Sequence, residues 1–517
     1  MRRALSNPMP MNRKLRPTRL LRTLAATALP LAVLSGCMNL APSYTQPDAP
    51  VPAAWQSAGA VPASAKAAAP MNTGWRDFLV DERLRGTVEL ALANNRDLRV
   101  AALNIERANA QYGLVSAAKL PSVADNTGTS RTRTPGSVSA NGQSRIATQY
   151  SVNLGLTSYE LDFFGRVRNL GESALQSYFQ TEETRRSTQI SLVASVATAW
   201  LQLAADQQRL QLARSTLASQ QKSYDLIERS HALGAQSGLS LAQAQTTVET
   251  ARGDAAHFDA LVEQDRNALA LLVGTTPPAA LLPPVDAPVT ASAAAAPLTQ
   301  LLAPPAELPS SVLQQRPDVL AAEHALQASN ADIGAARAAF YPRITLTGSA
   351  GTASNSLSRL FDSGSSAWTF APSITLPIFN NGANRASLRV AEVQREIQLA
   401  NYEKTLQTAF REVADALAAR RTLGERLSAQ QALLAATSRS FELSQALFRA
   451  GSGTYFSVLD AQRTQYAAQQ TLITLQLTEQ ANRLTLYKVL GGGWSERTVE
   501  AAANAPATSA TLRASGG

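Results

Sequence analysis

The sequence contains an internal repeat, and the repeat restricts what the chain can fold into. Residues 97–123 align without gaps on residues 318–344, with 8 of 27 positions identical. Residues 234–274 align in the same way on 451–491. Each of these copies opens with a glycine-containing turn, continues as Ser-x-x-x-Ala-Gln and ends at a glycine. Proline follows the same plan. It is absent from 136–276 and from 378–505, while ten prolines crowd into 277–317. Proline removes a backbone donor and clashes with the preceding helical turn. The two proline-free blocks therefore read as helical halves and the crowded middle as a linker. Residues 42–70 form a second extended segment rich in proline and alanine.

Within each block the apolar period is seven. Val196, Leu203, Leu210, Leu217 and Tyr224 are spaced by heptads, and their counterparts are Val413, Arg420, Leu427, Leu434 and Phe441, broken only at Arg420. A sustained heptad implies helices packed as coiled coils. The run 167–233 is 67 residues, about 100 Å at ~1.5 Å per residue. After each glycine turn the chain returns through 239–273 or 454–490, so each half predicts one long helical hairpin. The turns are expected near 234–240 and 451–457, with Gly234, Gly238, Gly451 and Gly453 as their pivots.

Between the short and the long helical segments lie stretches of period two. Tyr150, Val152, Leu154 and Leu156 alternate with small polar residues; so do Ile344 and Leu346, and Trp368, Phe370, Ile374 and Leu376. A fourth strand, near 122–133, follows from the duplication more than from its own pattern. One apolar and one polar face suit a membrane barrel with a wet lumen, and the lengths approach the roughly 9–11 residues such a strand needs. A soluble sandwich with one buried face has the same alternation. Four strands cannot close a barrel, which needs about eight, and an open sheet leaves edge amides unsatisfied in lipid. A four-stranded membrane sheet therefore requires several copies.

The N-terminus bears on the compartment. Arg13, Lys14, Arg16, Arg19 and Arg22 precede a short apolar stretch, 24–33, too short to remain as a membrane span. It runs into Leu34-Ser35-Gly36-Cys37, which resembles the bacterial lipoprotein box, and Cys37 is the only cysteine of the 517 residues. The implied maturation cuts before Cys37 and acylates it. Met38 in place of aspartate favours the outer membrane, and Met11 is an alternative start. The formal charge of +9 belongs largely to this segment: beyond residue 36 there remain 40 basic against 38 acidic residues. No basic stripe points to nucleic acid. The three histidines are widely separated and show no metal-ligand spacing. No nucleophile-and-base motif or phosphate-binding glycine loop is present, so the chain reads as a non-enzyme without cofactors.

Taken in order, several motifs resemble the outer-membrane factor family of TolC, OprM and NodT-type lipoproteins. They are Leu34-Ser35-Gly36-Cys37, Ala91-Leu92-Ala93-Asn94-Asn95-x-Asp97-Leu98, Leu161-Asp162-Phe163-Phe164-Gly165-Arg166, Arg316-Pro317-Asp318-Val319, Phe340-Tyr341-Pro342, Gly451 through Leu459-Asp460-Ala461-Gln462, and Leu490-Gly491-Gly492-Gly493-Trp494. The resemblance implies a mainly α-helical homotrimer with a β-barrel segment. Three chains share a twelve-stranded outer-membrane β-barrel, four strands each, that continues into a twelve-helix periplasmic α-barrel. It also implies a periplasmic adaptor and an inner-membrane transporter of the resistance-nodulation-division type as partners, and outer-membrane lipid around the barrel. The hairpin tips close the periplasmic end. Asp460 matches a carboxylate ring that constricts the pore, and Phe456 matches an apolar ring one turn away. A solvated helix-start carboxylate and simple hairpin packing are the plainer readings of these two residues.

The organisation expected is a signal peptide (1–36), a lipidated extended segment (37–80), a first repeat (81–276), a proline-rich equatorial linker (277–312), a second repeat (313–493) and a tail (494–517). The function implied is a passive efflux exit duct. Two other functions remain open at this point: the outer-membrane channel of type I protein secretion, and a periplasmic coiled-coil scaffold lipoprotein.

Overall fold

A computed structural model of the chain describes residues 39–55, 73–284, 299, 301–302 and 309–498. Cys37 and the residues before it lie outside the described residues, as do parts of the proline-rich linker and of the C-terminal tail.

The element order repeats once. The first pass runs α1 (Glu82–Asn94), α2 (Arg96–Ala117), β1 (Val123–Thr134), β2 (Arg145–Leu161), α3 (Arg166–Ala232) and α4 (Gly238–Val273). The second runs α5 (Pro317–Ala338), β3 (Arg343–Ser354), β4 (Ser366–Thr375), α6 (Ala383–Arg449) and α7 (Tyr455–Val489). Equivalent elements match in length: α2 and α5 have 22 residues each, α3 and α6 have 67 each, and α4 and α7 have 36 and 35. Two compact units divide the chain, and both draw on the two repeats. Among the described residues, one contains 39–45, 110–176 and 327–397; the other contains 46–55, 73–109, 177–284, 299, 301–302, 309–326 and 398–498.

The first unit holds a four-stranded antiparallel sheet in the order β1-β2-β3-β4. Its register sorts the residues by chemistry. Val152 lies opposite Thr127 and Thr352, Leu154 opposite Asp125 and Ala350, and Ala350 opposite Trp368; Gly348 lies opposite Leu156 and Phe370, and Ile344 opposite Ile374. Directly opposed residues share a face, so the apolar positions of β2, β3 and β4 stand together. The other face carries Asn126, Ser130, Gln149, Ser151, Asn153, Thr347, Ser349, Thr369 and Ser373. A one-residue register shift between Leu156 and Tyr159, with Ser158 at φ 49°, keeps the apolar face continuous to Leu161. The strands run past the segments of strict alternation, because their Thr-, Ser- and Arg-containing ends pair through backbone without contributing apolar side chains.

Two of the family-like motifs tie this sheet to the helices that leave it. Arg166, in the first turn of α3, donates to both carboxylate oxygens of Glu160 at 2.8 and 2.7 Å, and Arg343 at the start of β3 donates to the same carboxylate at 2.6 Å. The Glu160 side chain is only 10% exposed, so two cations hold an acid that has lost most of its water. Phe164 stacks on Tyr341 with ring centroids 4.8 Å apart.

The second unit contains the main cores. Trp75, Phe78, Leu84, Val88, Val196, Trp200, Leu203, Leu269 and Tyr487 belong to one cluster, in which the Phe78 and Tyr487 rings stack at 3.9 Å. Leu313, Val319, Tyr402, Leu406, Val413 and Leu490 form another. The heptad stripe of α3 is buried at Val196, Leu203 and Leu210 and half-buried at Leu217 and Tyr224, so packing loosens toward the tip. Helix α3 includes a window apolar enough for a membrane span, but 56% of that window is buried inside the protein. Arg316 is buried and donates to Asp318 at 2.7 and 3.0 Å, to Glu412 at 3.0 Å and to the Val489 carbonyl at 2.7 Å. One guanidinium thus joins the start of α5 to α6 and to the end of α7. Gly492 lies where a Cβ would meet the Tyr487 ring at 2.3 Å, which accounts for part of the triple-glycine motif.

Helix α4 ends at Gly274, at φ 81°, where an added Cβ would lie 2.5 Å from the Asn94 carbonyl oxygen. At Gly451, φ 77°, nothing lies within 4 Å of that position. Both alanine substitutions carry the left-handed cost of roughly 1–2 kcal/mol, and only Gly274→Ala adds a backbone clash. Gly274→Ala is therefore expected to lower the thermal midpoint of the helical circular-dichroism signal more than Gly451→Ala does. Equal shifts in the two variants would contradict the packing at Asn94.

Candidate functional site

The candidate gate lies on the two helical tips. Helix α3 closes with Gly234 at φ 76°, its amide bonded to the His231 carbonyl at 2.8 Å, and Ser237 caps α4 through its hydroxyl on the Ser240 amide. Helix α6 closes with Gly451; the amides of Ser452 and Gly453 both reach the Leu447 carbonyl at 3.1 Å, and Thr454 caps α7 on the Ser457 amide. Left-handed φ makes glycine the fitting residue at 234 and 451. Gly453 sits in tighter space, since a Cβ there would lie 3.0 Å from the Phe448 amide nitrogen. Gly238 is the first residue of α4 rather than part of the turn, and its environment makes no comparable demand.

A small apolar cluster locks the tips together. Ile227 and Ala244 of the first hairpin pack with Tyr455 and Leu459 of the second. Seating Tyr455 and Leu459 inward turns the adjacent stripe of α7 outward. Phe456 on that stripe is 55% exposed, and the Asp460 side chain is 63% exposed, four residues on and therefore one turn along the same face. The helix brings the two residues into the expected alignment, at the surface of a single chain. Arg463, which the sequence reading did not single out, donates to Asp460 at 3.3 Å. The matching positions of the first hairpin are Leu239 and Gln243, so the carboxylate stands in one repeat only.

The sequence reading also passed over an acid pair on the hairpin stems, one member buried and the other half-buried. Asp206 of α3 is 1% exposed and accepts from Arg209 and Gln202 at 2.6 Å each. Arg209 also donates to Thr474 of α7 at 2.9 Å. Asp265 of α4 faces this group, and its Oδ2 is buried without a donor. Burial, then the hydrogen bond and charge of Asp206, push the Asp265 carboxyl up to about 7, against the opposing charge of Arg209. A proton on this carboxyl supplies the donor that two ionised carboxylates lack. The signal in sequence was an Asp inside a helix otherwise set for apolar packing.

A short amphipathic sheet leading into two long helical hairpins is the architecture of an outer-membrane efflux channel subunit, and proteins of that class align with the chain along most of its length. The toluene efflux pump outer membrane protein TtgC of Pseudomonas putida is 45% identical over 485 residues, spanning 94% of this chain and 98% of its own. The outer membrane protein OprJ of Pseudomonas aeruginosa is 42% identical over 472 residues, spanning 91% and 96%. A solved membrane protein of Pseudomonas aeruginosa superposes with a TM-score of 0.81 at 41% identity, covering 89% of this chain and 98% of that one. The open-state MtrE outer membrane channel of Neisseria gonorrhoeae gives 0.79 at 37% identity, covering 90% and 100%. The family model described as outer membrane efflux protein matches residues 87–275 and 308–492. The chain belongs to the outer membrane efflux protein family.

The raised Asp265 sets a pH dependence. Its folded carboxyl binds a proton more tightly than the ordinary aspartate value of 3.8, so the stability it contributes is fully present below about 4 and is lost as pH rises through about 7. The thermal midpoint is expected to fall over that window, and Asp265→Asn, which keeps a donor toward Asp206, should flatten the fall. An unchanged pH profile in Asp265→Asn would rule the shared proton out.

Proposed function

We propose that this protein is the passive exit duct of a tripartite efflux pump. In this reading three copies share one barrel in the outer membrane and extend their helical hairpins into the periplasm. A periplasmic adaptor and an inner-membrane transporter of the resistance-nodulation-division type complete the pump. Energy enters at the transporter, so the duct needs neither catalysis nor a cofactor. The observation that carries the reading is the register of the sheet, which gives an apolar outer face and a polar inner face on strands with two open edges. Relatives named for toluene and for antibiotic efflux support small molecules as the cargo class. They also favour efflux over protein secretion, and the amphipathic sheet argues against a soluble coiled-coil scaffold.

Cys37 is the proposed acylation site. The chain three residues beyond it is held in place: Arg337 donates to the Leu40 carbonyl at 3.2 Å and Asn330 to the Pro42 carbonyl at 2.8 Å. Arg337 is in the last turn of α5, six residues before β3 begins. Cys37→Ser is expected to abolish fatty-acid labelling, and undiminished labelling would exclude the site. The organisation follows as signal peptide, lipidated segment, two repeats and an intervening linker.

At the tips, three copies of Asp460 form a carboxylate ring with Phe456 one turn away. Such a ring attracts cations, and the exposed aromatic adds a steric barrier. Arg463 offsets part of the charge. In planar bilayers the wild-type protein is expected to form cation-selective pores of low open probability. Asp460→Ala should weaken the selectivity, Arg463→Ala should strengthen it, and Phe456→Ala should raise basal conductance. Wild-type selectivity and conductance in all three variants would place the gate elsewhere on the tip. No conductance from the wild-type protein would overturn the channel itself.

A further inference from the structure

The β1–β2 hairpin carries two cations that the conduit does not use. Arg131 and Arg133 stand on β1 opposite Thr148 and Ile146 of β2. By the alternation of the strand they share the face of Tyr150, Val152 and Leu154, the face that meets lipid in the reading above. Both are exposed, and neither has an ion-pair partner among the described residues. The nearest carboxylate on that face of β1, Asp125, is six residues from Arg131. Both arginines lie at the loop end of the sheet, beside 135–144, and the helices attach at the opposite end. Next to them is an open groove of about 590 Å³ lined by Thr148, Tyr150, Asn355, Ser356, Leu357 and Ser358.

This arrangement is layered. Val152 and Leu154 offer apolar surface for acyl chains. Beyond them the groove offers hydroxyls, an amide and a tyrosine ring, which suit the hydroxyls and ring face of a sugar. Arg131 and Arg133 offer planar forks that match phosphate oxygens two at a time. An arginine on the lipid face is unfavourable at the bilayer midplane and nearly neutral at the interface, where anionic headgroups attract it. Resting on the outer-membrane reading, we propose that this edge is a binding site for a phosphorylated glycolipid of the outer leaflet, its phosphates on Arg131 and Arg133 and its sugars in the groove.

The test measures equilibrium binding of a bis-phosphorylated diglucosamine lipid to the purified full-length channel in detergent, by native mass spectrometry. Arg131→Ala with Arg133→Ala is expected to weaken binding about 30-fold, since each arginine near a charged surface contributes roughly 1 kcal/mol and 1.4 kcal/mol is tenfold. Arg131→Lys with Arg133→Lys should fall between, having charge without the fork. The dephosphorylated lipid should lose a similar factor on the wild type, and phosphatidylglycerol should bind at least tenfold more weakly because it lacks sugars. Millimolar inorganic phosphate should not displace the glycolipid. Unchanged binding in the alanine variant, equal binding of the dephosphorylated lipid or of phosphatidylglycerol, or displacement by inorganic phosphate would each overturn the proposal. If the alanine variant does not fold, the same comparison is made with Arg131→Gln and Arg133→Gln. Single-channel conductance is recorded on each preparation. A conducting channel with no glycolipid preference defeats this site alone, whereas a wild-type protein that never conducts defeats the outer-membrane reading beneath it.

Discussion

Two strands of this chain have only one neighbour. β1 pairs with β2 and β4 pairs with β3, and no strand among the described residues takes their outer edges. In water such edges are satisfied by solvent. In hydrocarbon each unpaired amide or carbonyl costs several kcal/mol. Rows of unpaired groups along 12-residue β1 and 10-residue β4 cannot be carried by one chain in a bilayer. The apolar face excludes the alternative of leaving the sheet in water, since Trp368, Phe370, Ile374 and Leu154 are each more than 60% exposed in the single chain. Both demands are met at once when identical sheets join edge to edge, with apolar side chains outward and polar side chains around a wet lumen.

The duplication makes this economical. Each repeat supplies one strand pair and one long hairpin, so the number of strands and the number of long helices rise together with copy number. The connections between strand and helix must then be rigid, and one partly buried ion cluster lies there, while a second ties helix to helix. Glu160 is held by Arg166 and Arg343 where β2 and β3 meet the start of α3. Arg316 joins α5, α6 and the end of α7. Both are partly desolvated charge clusters, which specify geometry more reliably than they add stability. The hairpin tips are built differently, from glycine turns, hydroxyl caps and the small cluster around Tyr455 and Leu459. A tip held by few apolar contacts is the part of such a fold least costly to rearrange.

Much of this was legible in the sequence. Proline-free blocks with heptads gave both hairpins, because long helices depend on a period that the residues state directly. Alternation located β2, β3 and β4 within a few residues, and the duplication supplied β1, whose Val123–Thr134 sequence is polar almost throughout. Phe456 and Asp460 were singled out by the family resemblance, and their four-residue spacing puts them one helical turn apart on α7. What escaped was contact between distant segments. Nothing local marks Asp206 as the neighbour of Asp265, or Glu160 as the acid shared by two arginines 177 positions apart, whereas Arg463 stands three residues from Asp460 on one helix and its spacing was there to be read. The purpose of Gly492 was equally hidden until Tyr487 was seen against it. Cys37, the clearest signal in the N-terminal sequence, lies outside the described residues.

Shared closure of the sheet is the claim on which the rest stands, and the mass of the folded assembly tests it most directly. Native mass spectrometry of the protein extracted in mild detergent, with circular dichroism to confirm that strands are present, counts the chains in one folded particle. The account requires a single species of three chains, with strand signal lost when the subunits are separated. A monodisperse single chain that keeps its strand signal in detergent would contradict it.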